Sequence, residues 1–464
     1  MTEYIFPKNI KGFTACENPD SLIRKKELQI GLAEKDVAVF SDGGYIIVDF
    51  GMEQNGGVRI LTYLAENTRI RIRFGESLTE CCSDLGGEKN ATNDHANRDF
   101  YTNLQNYSDM TFGNTGFRFV RIDFYGDAAI KCVIAINHIL KKKTVYEYTG
   151  DDKLIRNIFH AAKRTVDLCA GQDYLWDGVK RDRLVWIGDS HPEMLALTAM
   201  YGRLGVIEKS LDFIKNQTPL PGWMNNIPMY SMWWIIILAD YCKETEAFDY
   251  LKKQSKYLCA LVDQISDCVK DDGTLEYPFY FVDWPTSNQP DEGEGVRAIN
   301  IIAMEKAIEI FDTLALDAEK AKKTLERLLK KKITVVKSKQ VAGLKYFATG
   351  LDESDKALLL KDGARGMSTF MSYYILKAVA SYDKEAAINM MKEYYGAMLD
   401  KGATTFFEDF DITWAENSCR IDEFPKDGQR DIHGDFGAYC YKGFRHSLCH
   451  GWSAGVIRFI KEEC

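Results

Sequence analysis

Carboxylates, arginines and aromatic rings crowd three loop-like stretches in the second half of this sequence. They cover residues 173–193, 277–295 and 402–452. Hydrolysis of a glycosidic bond requires one carboxylic acid to protonate the leaving oxygen and a second carboxylate to activate water or attack the sugar. Aromatic rings offer an apolar surface on which a sugar face can pack. Acidic stretches that lie far apart in the sequence would supply such a pair if folding brings them together.

Each of these residues also has a plainer structural interpretation. A single acidic residue in a loop is usually solvated or caps a helix, and a tryptophan usually packs in a core. The whole constellation favours a carbohydrate site. Other chemistries lack their signatures. The chain has 7 histidines, none in an HExxH pattern, and His446 and His450 bring no third ligand with them. No Walker, dinucleotide-binding or GxSxG pattern occurs, so the sequence predicts neither a metal nor a cofactor.

The first 145 residues carry the period-2 alternation of β-strands. Residues 68–76, TRIRIRFGE, alternate isoleucine with arginine, and residues 115–126 alternate in the same way. No apolar period of helix length intervenes, which favours an antiparallel sandwich or jelly roll. The polar segment 81–106 is a candidate functional loop because of its length. Further strands are predicted at residues 45–51, 57–65 and 131–140.

From about residue 150 the apolar residues recur at helical spacing, and about ten to twelve helices fit into the rest of the chain. The charged segment 319–332 is interpreted as a solvated helix. Many helices in one domain predict an (α/α)6 barrel; a solenoid would also fit, but no fixed-period repeat is visible. The sequence thus predicts an N-terminal antiparallel β-sandwich (jelly roll) over residues 1–145, followed by an (α/α)6-barrel catalytic domain over residues 146–464.

Composition and charge narrow the class of protein further. The 464 residues are 46% hydrophobic and 27% charged, which is typical of a packed globular protein. The formal charge is 59 − 68 = −9, which argues against nucleic acid and anionic membranes as partners. The longest apolar run, at residues 233–239, is much shorter than a bilayer span. Twelve scattered cysteines and the lack of a signal peptide favour free thiols and a cytoplasmic location.

Three segments resemble a known family. WDGVKRDRLVWIGD at residues 176–189 resembles the signature of bacterial α-L-rhamnosidases, glycoside hydrolase family 78. GATTFFEDFD at 402–411 resembles that family's segment around its general base, and SLCHGWSAG at 447–455 resembles its late histidine segment. VDFGMEQNGGVRI and IRFGESL look like the family's β domain, so the resemblance extends over most of the chain.

The resemblance implies a role for each matching residue. The family's general acid stands four residues before the motif tryptophan, which assigns that role to Asp182 here. The family's general base matches Glu408, and because the family inverts, a water should lie between the two carboxylates. Asp177 and Asp189 match the family's two sugar-binding aspartates, Trp186 matches the motif tryptophan, and His450 matches the late histidine.

Two of the matched positions depart from the family. Asp182 stands where the family has glutamate, and its side chain is one methylene shorter. Either the backbone or the substrate must sit closer, or another carboxylate such as Glu193 has taken the role of the acid. Phe407 replaces the tryptophan that usually precedes the base, which leaves the preferred sugar open.

The sequence therefore predicts an inverting glycoside hydrolase that removes terminal α-L-rhamnose from a small glycoside or oligosaccharide. A phosphorylase or a glycosidase for another sugar on the same fold stays open as an alternative, as does a non-catalytic sugar-binding protein. A homo-oligomer is compatible with the sequence. The predicted substrate-binding residues are Asp177, Arg181, Trp186, Asp189, Glu193, Trp284, Trp414 and His450.

Overall fold

The computed structural model describes residues 2–171, 173–438 and 441–464 of the chain. Its first part is a seven-stranded sheet in which every pair of neighbouring strands is antiparallel, in the order β1-β7-β3-β6-β4-β5, with β2 paired to β3. The antiparallel character predicted for this part is confirmed. The strands are β1 (Thr2–Ile5), β2 (Asn9–Glu17), β3 (Ala38–Leu64), β4 (Thr68–Gly75), β5 (Asp99–Leu104), β6 (Ser108–Tyr125) and β7 (Ala128–His138).

The two strands predicted at residues 45–51 and 57–65 form the single long strand β3. The register of β3 against β6 shifts between Asp49 and Gln54 and again after Gly56, so the strand bends without ending. Gly56 is required at this bend, since a Cβ there would lie 2.2 Å from the carbonyl oxygen of Ile136. The sequence shows the turn-like glycines but not the pairing that carries the strand through them.

The core of the sheet consists of the apolar side chains that alternate along the strands. Phe40 and Phe124 are buried there and stack with ring centroids 4.0 Å apart. Burial of one such ring contributes on the order of 2 kcal/mol. A short helix, α1 (Leu78–Cys82), follows β4 and begins at Ser77, whose side chain accepts the N–H of Glu80.

Twelve helices follow the sheet in the described part of the chain, and no strand is found there after residue 150. The predicted change from strands to helices is confirmed. Residues 319–329 of segment 319–332 form a surface helix in which only Ala321, Thr324 and Leu328 are buried. The helices are α2 (Lys153–Cys169), α3 (Ser190–Tyr201), α4 (Gly205–Gln217), α5 (Pro228–Thr245), α6 (Phe248–Asp267), α7 (Glu292–Leu314), α8 (Glu319–Leu329), α9 (Lys339–Thr349), α10 (Glu353–Leu360), α11 (Ser372–Ala380), α12 (Lys384–Asp400) and α13 (Val456–Glu463).

Six of these helices form a closed ring of neighbours. Helix α3 packs against α5, and the contacts continue through α7, α9, α11 and α13 back to α3. The other helices pack against this ring; for example, Trp234 of α5 donates its indole N–H to Leu211 of α4 at 3.1 Å. Helix α5 is buried on every side over residues 228–239, which explains its continuous apolar run.

The helices have an apolar core of their own, separate from that of the sheet. Within the described residues no helix is both long enough and apolar enough to cross a bilayer. Eleven cysteines among the described residues, in the sheet and the helical part together, are free thiols, and Cys440 lies outside the described residues.

Candidate active site

The loop before α3 carries the first predicted catalytic residue in an uncommon backbone conformation. Asp182 and Arg183 both have positive φ, 58° and 54°, which non-glycine residues seldom adopt. The carboxylate of Asp177 accepts the N–H of Leu184 at 2.9 Å, and the N–H of Asp177 is donated to the Leu184 carbonyl at 3.1 Å, which closes the loop. The tight turn sends the neighbouring side chains of Asp182 and Arg183 to different surroundings.

The second predicted catalytic residue lies on a segment that runs beside the late histidine segment. Glu408 donates its backbone N–H to the carbonyl of Ser447 at 3.0 Å, and the N–H of Ser447 is donated back to the Glu408 carboxylate at 3.0 Å. The N–H of His450 is bonded to the carbonyl of Phe406 at 3.1 Å. The two segments that resemble the family are therefore bonded directly to one another.

One guanidinium joins the two predicted catalytic carboxylates. Arg181 donates to Asp182 at 2.8 Å through Nη1 and to Glu408 at 2.6 Å through Nη2. These bonds limit the separation of the nearest carboxylate oxygens to roughly 8 Å, given the size of the planar fork. The ring of Tyr441 lies 3.3 Å from the Arg181 guanidinium carbon and covers it. Folding thus brings residues 182 and 408 together at one site.

The β part of the chain also reaches this site. Nδ1 of His95 lies 2.6 Å from a carboxylate oxygen of Asp182 and accepts the Asp182 backbone N–H at 3.1 Å. Asp94 accepts from Arg445, whose carbonyl in turn accepts from Arg181 at 2.8 Å. The only sequence signal for these residues is the length and polarity of segment 81–106, which indicates a functional loop without identifying the residues.

The carboxyl groups around the site have strongly different acidities. Burial opposes ionisation of Glu408, but Arg181, together with His450 and His446, lowers the pKa of Glu408 to about 2. Burial raises the pKa of Asp189 to about 8, although the hydroxyl of Tyr230 donates to it at 2.8 Å. An ionised carboxylate and a protonated carboxyl group therefore coexist at neutral pH, as acid–base catalysis requires.

The pKa values of two further acidic residues near Asp189 are also raised. Burial, together with the charges of Asp182 and Asp189, raises the pKa of Asp177 well above its ordinary value. Burial does the same to Glu193, which is fully buried; neither of its carboxyl oxygens makes a hydrogen bond within the described residues. Glu193 packs against Gly451, where a Cβ would lie 1.6 Å from its Oε1. The alternative acid is thus enclosed behind the late histidine segment.

His450, as predicted, lies among these acidic groups. Its Nε2 is 3.8 Å from Asp177 and 3.9 Å from Glu408, and its ring lies 4.2 Å from that of Trp452. Burial lowers the pKa of His450 to about 3, so the imidazole is neutral at physiological pH. A neutral imidazole can both donate and accept hydrogen bonds, which suits contact with sugar hydroxyls.

A narrow cleft of about 20 Å³ opens beside Glu408. Burial raises the pKa of Asp283 to about 6, and burial together with the charge of Glu408 raises that of Asp409 to about 7. Sequence reasoning missed these two carboxyls as site residues, although both lie in the predicted polar stretches. The cleft is lined by Asp283, Trp284, Pro285, Ser368, Thr369, Glu408, Asp409, Ala438, Tyr441 and Trp452.

Trp186, Trp284 and Trp414, the three tryptophans predicted to bind the substrate, lie in different positions. Trp284 lines the cleft and packs edge-on against Phe281 at 5.1 Å. Trp186 is partly buried and packs edge-on against Tyr230, the partner of Asp189, at 6.2 Å. Trp414 stacks on Phe436 at 5.3 Å and does not line the cleft. Trp452, which was not predicted as a wall, lines the cleft and donates its indole N–H to the Glu408 carbonyl at 2.9 Å.

One cluster next to the site has the residue types of a metal centre. Glu76, Glu80 and His433 are buried and close enough together to share an ion. However, the ammonium of Lys180 lies 3.3 Å from Glu76 and 2.7 Å from Glu80, and Arg98 donates to Glu80 at 2.7 Å. The protein's own cations therefore supply the charge that a metal would bring.

Comparison with known proteins gives matches by structure alone. No family model and no curated protein matches the sequence. The rhamnosidase from Klebsiella oxytoca, solved with rhamnose bound, is similar with a TM-score of 0.74 and 17% identity over 100% of this chain and 96% of that one. The family 78 rhamnosidase of Bacillus sp. GL1 is similar with a TM-score of 0.73 and 17% identity over 95% of this chain.

The chain spans about half of the Bacillus enzyme, 48% of its length. The α-L-rhamnosidase of Streptomyces avermitilis, complexed with L-rhamnose, is similar with a TM-score of 0.61 and 14% identity over 89% of this chain and 42% of that one. At these identities the similarity establishes a shared fold. The chain therefore has the mixed β and α fold of the glycoside hydrolase family 78 rhamnosidases, as the sequence motifs implied.

Proposed function

We propose that this protein is an inverting glycoside hydrolase that releases terminal α-L-rhamnose from a small glycoside. The observation that carries the proposal is the pair of motif-matched carboxylates, Asp182 and Glu408, held on the single guanidinium of Arg181. The shared fold supports it, since two of the similar structures hold rhamnose. In this proposal residues 1–145 form a β-sandwich domain and residues 146–464 an (α/α)6 barrel with the closed ring of six helices inside.

Glu408 acts as the general base in this mechanism. It is ionised at neutral pH and so can take a proton from water, but Arg181 now donates to both of its oxygens. Among the described residues Oε1 accepts a hydrogen bond from Arg181 alone, so it keeps a second acceptor position for a water. The cleft beside Glu408, at about 20 Å³, exceeds the 10–15 Å³ or so that one water needs. It is far below the roughly 300 Å³ of a small-molecule site, so side chains around it must move to admit a sugar ring.

Asp182 acts as the general acid and must carry a proton that it gives to the glycosidic oxygen. Nδ1 of His95 accepts the backbone N–H of Asp182 at 3.1 Å. The same nitrogen lies 2.6 Å from a carboxyl oxygen of Asp182, so the imidazole contacts both the backbone and the side chain of the acid. This geometry supports a role for His95 in holding the carboxyl of Asp182 in place.

The remaining groups bind and orient the sugar. Asp189, which is protonated at neutral pH, presents one donor and additional acceptor oxygens, and the neutral His450 presents one donor and one acceptor. The carboxyl of Asp177 presents acceptor oxygens. Trp284 and Trp452 supply apolar surface beside the base. Glu193 is fully buried close to Asp177 and Asp189.

Turnover of 4-nitrophenyl glycosides tests the proposal, with product anomers followed by NMR. We expect cleavage of the α-L-rhamnoside in preference to other sugars, with β-L-rhamnose as the first product. First formation of α-L-rhamnose would contradict inversion, and phosphate-dependent turnover would indicate a phosphorylase. Tight sugar binding without turnover of any glycoside would show a binding protein.

The acid is tested separately with Asp182→Asn. Activated aryl leaving groups need little protonation, so this change should slow alkyl rhamnosides by about 10²- to 10⁴-fold and nitrophenyl rhamnosides far less. Equal rates of the variant and the parent on both substrates would exclude Asp182 as the acid.

A further inference from the structure

The positively charged guanidinium of Arg183 has no acidic partner among the described residues. Its guanidinium donates to the carbonyl of Val179 at 2.9 Å and to the side-chain oxygens of Asn114 and Asn55 at 2.8 and 2.9 Å, all neutral acceptors. Within residues 2–171, 173–438 and 441–464, no carboxylate forms an ion pair with it. Burial, with Arg98 nearby, lowers the pKa of Arg183 to about 10, which still leaves it charged at neutral pH. The three bonds hold the partly buried guanidinium in one orientation, so it is prepared to receive an anion.

The guanidinium lines a cavity of about 340 Å³ between the sheet and the helical part. This volume lies within the range of small-molecule sites. Asn55, Asn114 and His138 line it from the strands, and Trp176 lines it from the loop before α3. It shares no lining residue with the cleft beside Glu408.

The acidic residue that lines this cavity is already neutralised. Asp173 is largely exposed, and its carboxylate accepts from Lys209 at 2.9 Å. Of the five guanidinium N–H groups of Arg183, three are used by the bonds above, and within the described part of the chain the other two have no acceptor and so can bind a ligand. The planar fork of arginine matches a carboxylate better than a point charge does.

The other polar groups of the cavity favour a ligand with hydroxyls. Burial and the charge of Arg183 lower the pKa of His138, so its ring is neutral and offers one donor and one acceptor. The amide of Asn114 lies beside the guanidinium, and the partly buried ring of Trp176 adds apolar surface 5.2 Å from it. We propose that this cavity binds a small hydroxylated carboxylate, such as a sugar acid, with its carboxylate on Arg183.

Isothermal titration calorimetry with D-glucuronate tests the proposal, with D-glucose as its uncharged counterpart. The parent should bind glucuronate at least tenfold more tightly than glucose, and Arg183→Gln should weaken glucuronate binding at least tenfold. Arg203→Gln is the matched control, because Arg203 is exposed and paired with Glu208 and Asp249, and it should bind as the parent does.

Asn114→Asp keeps the test decisive if Arg183→Gln fails to fold. This change places a carboxylate 2.8 Å from the guanidinium, at the position of the present amide oxygen. The internal counter-ion should raise the melting temperature and weaken glucuronate binding at least tenfold. The proposal would be overturned if Asn114→Asp bound glucuronate as tightly as the parent does. It would also be overturned if the parent did not bind glucuronate, or if the parent bound inorganic phosphate as tightly as glucuronate. None of these measurements depends on glycosidase activity, so the proposed function is tested separately.

Discussion

Lys180 is the buried cation on which the position of the base depends. Its ammonium lies 3.3 Å from Glu76 and 2.7 Å from Glu80, with all three side chains at most 4% exposed. It also donates to the carbonyls of Phe444 and His446, on the segment that leads to Ser447. Lys180 therefore ties the sheet part of the chain to the loop that holds the base.

Glu76 carries this connection to the base. It accepts the hydroxyl of Ser447 at 3.0 Å and the N–H of Leu448 at 2.7 Å. The N–H of Ser447 is in turn donated to Glu408 at 3.0 Å. Replacing Lys180 by methionine should therefore disturb both the stability of the fold and the position of the base.

The structure gives the size of the expected effect. Loss of one partner of a buried ion pair costs about 3–5 kcal/mol. Glu80 keeps Arg98 at 2.7 Å, whereas Glu76 forms no other ion pair within the described part of the chain. Its pKa, already raised by burial and held down by Lys180, should rise further, so Glu76 becomes neutral. A loss of about 3 kcal/mol is a large share of the roughly 5–15 kcal/mol that stabilises a protein. A shift of the base by about 1 Å would lower kcat roughly 10²-fold.

Urea unfolding and kcat on the nitrophenyl rhamnoside measure the two effects in Lys180→Met. Lys345→Met is the matched control, because Lys345 is also buried and pairs with two carboxylates, Asp352 at 2.9 Å and Asp355 at 2.6 Å, away from the site. The control should lose stability and keep the kcat of the folded protein.

A double change separates the ion pair from the simple loss of a side chain. Glu76→Gln in the Lys180→Met background should cost less than the sum of the two single changes, because no buried charge is then left unpaired. Additive costs, or a kcat of Lys180→Met equal to that of the control, would refute the reasoning.

Two further changes test the carboxyl groups of the site. Glu408→Gln should lower kcat by about 10²–10⁴-fold on every substrate, because the base is removed. Glu416→Gln is the control and should keep the parent kcat, because Glu416 is exposed and pairs with Arg365. Equal activities of the two variants would exclude Glu408 as the base. Asp189→Asn tests the raised pKa through stability measured against pH. The pKa of Asp189 is about 8 in the folded protein and 3.8 ordinarily, so between these values the folded parent holds a proton that the unfolded chain releases. The free energy of unfolding of the parent should therefore fall by about 1.4 kcal/mol per pH unit as pH rises from about 4 to 8. The advantage of Asp189→Asn should grow over that range and level off above it, and a difference independent of pH would contradict the shift.

The periodicity of apolar residues in the sequence was sufficient to predict which segments form strands and which form helices. The alternation in residues 68–76 reappears as β4 (Thr68–Gly75), and the charged segment 319–332 reappears as the surface helix α8. The sequence did not predict that residues 45–51 and 57–65 form one continuous strand, because this continuity depends on pairing with β6 and β7. Hydrogen bonds to distant strands leave no mark in the local sequence.

The site was predictable where its residues share a segment with a motif, as Asp177, Asp182 and Asp189 do. His95 and Asp283 lie outside the motif segments, and their relevance depends on contacts with residues 87 and 85 positions away in the sequence. Sequence periodicity carries no information about such contacts, and a polar loop usually has no role beyond solvation. The β part of the chain thus contributes to the site in a way that only the fold reveals.

The backbone at residues 182 and 183 shows this limit most clearly. Aspartate adopts a left-handed conformation more often than most residues, but arginine gives no sign of one. The conformation costs arginine about 1 kcal/mol or more and persists only when the surroundings impose it. The bonds between Asp177 and Leu184 impose it here by closing the loop. As a result, adjacent side chains serve two places: Asp182 reaches Arg181 and His95, and Arg183 reaches the cavity against the sheet. The strain at the proposed acid and the unpaired cation of the proposed carboxylate site thus follow from the same turn.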